Sequence, residues 1–299
     1  MNRRQFLKQS LNAAAGAALL HFRPLAAETS GDIRYPIGIF TRPWANFELE
    51  TAFSSIAEAG FQYVGLMTTR SREGLVISIR TPKKKAQRIS RLAQDHGLKV
   101  VAIYGGDFNA EISRRAAVDG LKKLLDNVAA CNGYTLILGG TGDAQILDNY
   151  YAAVSDCCDH AVALELKMVL KPHGGLNATG TQCRELIQRI NHPAFRLWYD
   201  PGNIYYYSDG ALDPVQDAQH VNGIVTGICV KDYLHPKEVM VTPGEGLVNF
   251  PGVLQSLHEG GFDQGPLVIE CLQDGDLPHL VTAARKARIA VSEWVKSIS

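Results

Sequence analysis

The chain lacks a surplus of charge, a zinc-type cysteine spacing and any long apolar run after its first segment, and each absence removes a class of function. Its 30 Lys and Arg are balanced by 30 Asp and Glu. It therefore lacks the basic excess that general binders of DNA, RNA or acidic membranes set against phosphate. No nucleic-acid partner is expected, and a neutral small molecule fits better. The six cysteines (Cys131, Cys157, Cys158, Cys183, Cys229, Cys271) contain no CxxC pair. Neighbours such as Cys157 and Cys158 cannot readily bridge each other, so the cysteines read as small buried hydrophobes. With 46% hydrophobic and 20% charged residues, the chain is not disordered, collagen-like or a disulfide miniprotein. Its 299 residues suffice for one large domain with a sizeable core.

The first segment stands apart. Residues 2–8 read NRRQFLK, followed by the weakly apolar LNAAAGAALL and then PLAA before Glu28. Charged, apolar and small-residue regions in that order are those of an export signal. Arg3 and Arg4 with Phe6, Leu7 and Lys8 resemble the twin-arginine motif, which implies the twin-arginine export machinery as a partner and a periplasmic mature protein. The expected boundaries are 1–27 for the signal and 28–299 for the mature domain. Cleavage after Ala27 removes four basic residues and no acidic ones, leaving 26 basic against 30 acidic. The apolar run is too short to span a bilayer comfortably.

After Ala27 the sequence alternates. Short runs rich in β-branched residues recur eight times: PIGIF (36–40), YVGLM (63–67), KVVAIY (99–104), TLILGG (135–140), KMVLK (167–171), FRLWYD (195–200), IVTGICVKD (224–232) and PLVIE (266–270). Segments of helical periodicity lie between them, several closed by glycine. Eight βα units in a chain of this length predict an α/β fold, the (β/α)8 TIM barrel. A doubly wound open sheet lacks its fingerprint, because GGTGDAQ (139–145) has no full GxGxxG spacing and reads as a tight βα turn.

In a (β/α)8 barrel the active site lies at the C-terminal ends of the strands. That rule selects Lys171 and His173 after the fifth run, Asp200 and Asn203 after the sixth, Lys231 and Asp232 after the seventh, and Glu270 on the eighth. Arg42 and Trp44 follow the first run, Tyr104 and Asp107 the third. Trp44, Tyr104 and the tyrosines at 205–207 offer flat apolar faces for a sugar ring, and Asn203 and Asp232 offer hydrogen bonds to hydroxyls.

The motifs KPHGG (171–175), YDPGN (199–203), VKDY (230–233), PGEGLVNFPGVL (243–254) and VIE (268–270), on eight βα units, resemble the xylose isomerase-like TIM-barrel family of sugar isomerases and epimerases. The family also holds endonuclease IV-type and inosose dehydratase-type members. The resemblance implies a divalent metal, Mn, Co or Mg, on a glutamate after the fifth strand, an aspartate after the sixth, a histidine on the seventh and a glutamate on the eighth. The chain departs from that set: Lys171 stands at the first position and Cys229 at the third, leaving Asp200 and Glu270. His173 is a replacement nitrogen ligand, and Cys229 a thiolate suited to Zn.

Carbon-acid chemistry needs a base and a positive group to hold the developing enolate oxygen. Glu270 or His173 serves as the base and Lys171 or Lys231 as the electrophile, Lys171 also by a Schiff base. Three functions follow: an exported isomerase or epimerase of a sugar or keto-sugar; a lyase eliminating from a keto-sugar or 3-keto-glycoside; a carbohydrate-binding protein without catalysis. A homo-oligomer stays open. The export reading has its own test. Because the pathway reads guanidinium pairs rather than charge alone, Arg3→Lys with Arg4→Lys is expected to retain the precursor in the cytoplasm on cell fractionation, and unimpaired export would refute it.

Overall fold

The computed structural model describes residues 34–71 and 74–298. The proposed signal, residues 1–27, lies outside them. Eight strands pair in parallel and in sequence order, and the last pairs with the first to close a barrel. They are β1 (Ile37–Phe40), β2 (Tyr63–Leu66), β3 (Lys99–Tyr104), β4 (Thr135–Leu138), β5 (Lys167–Leu170), β6 (Phe195–Tyr199), β7 (Val225–Val230) and β8 (Leu267–Ile269). Each falls within the apolar run that predicted it. The α/β (β/α)8 expectation holds.

The surrounding helices are α1 (Leu49–Glu58), α2 (Lys83–Asp95), α3 (Arg114–Ala130), α4 (Leu147–Ala163), α5 (Gly180–Ile190), α6 (Pro201–Tyr207), α7 (Pro214–Ala218), α8 (Phe250–Glu259) and α9 (Leu277–Lys296). The starts of α3, α5, α6, α7, α8 and α9 are set by side chains that satisfy free N–H groups of the first turn. Ser113 caps α3, Thr179 and Gln182 form a reciprocal capping box on α5, and Asp276 caps α9. The stop after α3 is Asn132, with φ 52°, one residue before the glycine that the sequence offers; asparagine tolerates the left-handed region better than other residues with a β-carbon. No helix among the described residues is long and apolar enough to cross a membrane.

Strand alternation sorts the core into two layers. Ile39, Leu136, Met168, Leu170, Leu197 and Val230 belong to the apolar layer between sheet and helices. Their neighbours in sequence, Phe40, Ile137, Val169, Trp198, Cys229 and Val268, are equally buried but lie outside that layer, which places them inside the barrel. The interior is packed solid. Two of its bulky rings oppose glycines on the next strand, Phe40 against Gly65 and Trp198 against Gly227. A β-carbon at either glycine would lie 2.3 or 2.4 Å from the ring.

The same period of two decides what happens at the strand ends. Leu170, Tyr199, Val230 and Ile269 face the helices, so the residues after them, Lys171, Asp200, Lys231 and Glu270, turn inward over the barrel interior. The six cysteines are all buried and unbridged, as the spacing implies. The GGTGDAQ segment is a turn held by its own Thr141 and by α4: Asp143 N–H donates to Thr141 Oγ1 at 3.0 Å, and Gly140 N–H donates to Tyr150 Oη at 3.1 Å.

Candidate active site at the barrel mouth

Five charged side chains meet where the strands end. Lys171 Nζ donates to Glu270 Oε2 at 2.6 Å and lies 3.0 Å from Asp200 Oδ2. Lys231 Nζ lies 2.5 Å from Glu270 Oε1 and 3.3 Å from Asp200 Oδ2, and donates to Asn203 Oδ1 at 3.0 Å. Arg42 Nη1 donates to Glu270 Oε1 at 2.5 Å. Asp200, Glu270, Lys171 and Lys231 are all buried, and Arg42 covers them as the half-buried member, its side chain 31% exposed.

Local structure explains each position. In YDPGN, Asp200 caps α6 by accepting from Asn203 N–H at 2.9 Å through Oδ1, which leaves Oδ2 for the lysines. Pro201 supplies the first helical residue, where a missing N–H is harmless. A β-carbon at Gly202 would lie 2.6 Å from the Lys231 carbonyl oxygen, so only glycine lets α6 start this close to the β7 end. Asn203 then ties the loops together, donating Nδ2 to Pro172 O at 2.6 Å while orienting Lys231. Asn177 fixes the Lys171 backbone, donating Nδ2 to Lys171 O and Gly139 O, each at 2.9 Å.

The electrostatics are set by competition between burial and partners. Burial alone would lower the Lys171 ammonium, but Glu270 and Asp200 outweigh it and hold it well above the usual lysine value. Lys231 is likewise raised by Asp200 and Glu270 against its burial. Burial would raise Glu270, yet Lys171, Lys231 and Arg42 together hold it well below the usual carboxylate range. Both lysines are thus permanent cations, and Glu270 is an anion in the resting site.

His173 sits at the rim between two rings, stacked on Tyr104 at 6.5 Å between centroids and tilted against Tyr207 at 5.8 Å. Burial of the ring among these neighbours, then the positive Lys171 and Lys231, lowers its imidazole to about 4 although much of the residue faces solvent. It is a neutral imidazole at ordinary pH. Tyr104, whose hydroxyl burial holds above its usual value, remains half-buried there.

Two residues expected to touch a sugar are placed elsewhere. Trp44 is fully buried in the layer between sheet and helices, so its stacking face is covered. Asp232, one residue past inward-facing Lys231, points away from the interior and spends its carboxylate on backbone N–H groups. Oδ1 accepts from Tyr233 and Val248 at 2.8 and 3.0 Å, and Oδ2 from Gly244 and Gly246 at 2.8 and 2.9 Å. Asp232 and the GEG turn are therefore one structural device that pins the 243–248 loop, while Lys231 belongs to the charge cluster. Arg42 received no role from the sequence; the strand-end rule reached it, but nothing local distinguished it from a solvated arginine.

Among the described residues, the side chains of metal-ligand type that converge are Asp200, Cys229 and Glu270, with ligand atoms within 4.8 Å of one another. His173, expected as the replacement nitrogen, is not one of the three. The donor set does not fit a divalent ion. The carboxylate oxygens that would bind it are already shared by two ammonium groups. Burial raises the Cys229 thiol well above its usual value, so a metal would have to displace its proton. At 4 Å and an effective dielectric near 20 a dication would meet roughly 8 kcal/mol of repulsion from each ammonium. Lys171, which stands where the resemblance puts a metal ligand, holds the two carboxylates with a charge carried by the chain itself.

The chain belongs to the xylose isomerase-like TIM-barrel family, which it matches over residues 53–297. No curated protein matches it. Among solved structures it is similar to a xylose isomerase-like TIM-barrel protein from Mycobacterium smegmatis in complex with magnesium, at 14% identity, with 89% of this chain and 98% of that one covered and a TM-score of 0.71. It is similar to a xylose isomerase domain protein from Planctomyces limnophilus at 20% identity, covering 89% and 97%, with a TM-score of 0.64. A D-psicose 3-epimerase from Clostridium cellulolyticum H10, solved with D-tagatose, gives 12% identity, 88% and 99% coverage and a TM-score of 0.65. At these identities the likeness is one of fold.

The charge argument has a direct consequence. Manganese or magnesium is expected to leave the melting temperature of the unmodified protein unchanged, and elemental analysis to find less than stoichiometric metal. Lys171→Glu, which exchanges the internal cation for a ligand, should instead melt higher as metal is added, because binding to the folded state alone stabilises by mass action. Stoichiometric tight metal in the unmodified protein would overturn the assignment.

Proposed function

We propose that the protein is an exported isomerase or epimerase of small carbohydrates in which Lys171 and Lys231 supply the positive charge that the enolate intermediate needs. The observation that carries this reading is the buried Lys171–Glu270–Lys231 arrangement at the barrel mouth. A carbonyl oxygen of the substrate accepts a hydrogen bond from Lys171. Glu270, losing part of its strongest neighbour, gains proton affinity as the substrate binds, since the same cation that depressed it now faces the oxygen. It takes the proton from the adjacent carbon; the C–H electron pair forms the C=C bond of the enediolate, and the carbonyl electrons move onto the oxygen held by the ammonium groups. Delivery of a solvent proton to the other face of that carbon is epimerisation; return of the proton from Glu270 to the former carbonyl carbon, with the adjacent hydroxyl giving its proton to the enediolate oxygen, is isomerisation.

Hydrogen bonding, not Schiff-base formation, is the mode that fits a lysine held in its charged form. Neutral His173 and the tyrosines Tyr104 and Tyr207 flank the rim and bound the space for the sugar carbons. Proton removal is also the first half of an elimination, so the lyase reading uses the same residues. One observation favours the non-catalytic alternative: every oxygen of Glu270 is already paired, which is also what a purely structural charge cluster would show.

Deuterium exchange separates the catalytic readings from the binding-protein reading. With D-fructose, D-tagatose and D-psicose in D2O, NMR should show solvent deuterium entering beside the carbonyl. Lys171→Met should lose on the order of a hundredfold, as removal of an electrostatic stabiliser does, and Glu270→Gln at least as much. Exchange undiminished in both folded variants would refute the mechanism; sugar binding without exchange in the unmodified protein would establish the binding-protein reading.

A further inference from the structure

The whole-chain charge balance conceals a local surplus. Around the mouth three cations, Arg42, Lys171 and Lys231, face two anions, Asp200 and Glu270. The group therefore carries one uncompensated positive charge, largely removed from water. A buried unpaired charge is costly, and the cost falls on whichever member is nearest solvent. That member is Arg42. One nitrogen of its guanidinium, Nη1, meets Glu270. No other acceptor is assigned to the remaining N–H groups among the described residues, and the side chain stays partly open. A neutral sugar would leave this surplus standing, whereas a carboxylate accepts a bidentate fork from such a guanidinium.

His173 over the two lysines is neutral. The Asp232 carboxylate keeps its charge but turns it to four backbone N–H groups on the far side of its strand end, and Asp107 is exposed, near enough to Tyr104 to act on its hydroxyl.

We infer that the substrate is a sugar acid, its carboxylate held by Arg42 and its carbonyl or hydroxyl oxygen by Lys171. The inference rests on the proposed function and narrows it to one class of carbohydrate. It also suits the chemistry: pairing the carboxylate of a 2-keto acid with cations offsets the negative charge that otherwise opposes forming an enediolate one carbon away, so the proton on C3, next to the carbonyl, becomes more acidic.

The test compares 2-keto-D-gluconate with D-fructose, which differ only in a carboxylate against a hydroxymethyl group at C1. Isothermal titration calorimetry at low ionic strength should give at least tenfold tighter binding of the acid, and the preference should shrink as salt rises. Arg42→Gln, a change on a half-exposed loop residue, should abolish most of the preference while leaving the melting temperature near that of the unmodified protein. Should that variant not fold, the salt dependence of the unmodified protein still decides. Equal or tighter binding of D-fructose overturns the inference; if D-fructose also exchanges deuterium, the isomerase reading survives without it. Failure of both compounds to bind or exchange defeats both.

Discussion

The constraint on which the site depends is the charge balance around Glu270. A carboxylate with almost no exposure at the end of a packed barrel cannot stay ionised without partners, and here it has three: Lys171, Lys231 and Arg42. Removing Glu270 itself would leave the buried lysines short of an anion, at a typical cost of about 3–5 kcal/mol. The surrounding loops serve this balance. Asp200 is held by its helix cap, Lys231 by Asn203, and the Lys171 backbone by Asn177, so the charges are positioned by backbone and cap rather than by one another alone. The period of two along β5, β6, β7 and β8 turns all four strand-end residues to the same side.

A lysine in the place of a metal ligand changes what the fold can do. A divalent ion binds two oxygens of a hydroxy-ketone at once and is lost or exchanged with its supply. An ammonium group donates hydrogen bonds singly, is always present and adds one charge rather than two. Two lysines and an arginine around two carboxylates give a positive site with several separate donors. Such a site orients oxygens by hydrogen-bond direction.

The barrel was legible because its information is local: eight β-branched runs, each within a residue or two of an observed strand, separated by helical periodicity. The strand-end rule also found Lys171, Asp200, Lys231 and Glu270, since topology alone brings those ends together. What it could not see was direction at the next residue. Asp232 follows Lys231 in sequence but faces the opposite way and holds a loop; Trp44 follows Arg42 by two yet is buried behind the sheet. The roles of Arg42, which the strand-end rule did reach, and of Asn177 escaped for a different reason. Their roles are partnerships across 228 residues of sequence in one case and with backbone carbonyls in the other, and neither leaves a local pattern. The net charge of the whole chain likewise suggested a neutral ligand, because an average over 299 residues erases a surplus of one at the mouth.

The central claim is that Lys171 is a permanent internal cation bridging Asp200 and Glu270. Its most direct measurement is a pH titration of the Lys171 side-chain NMR signals, assigned by comparison with Lys171→Met. The expected result is an ammonium signal that does not titrate up to about pH 10, near the ordinary lysine value, because both carboxylates hold the proton in place. A midpoint below about pH 8, in the range of lysines that act as neutral nucleophiles, would contradict the account.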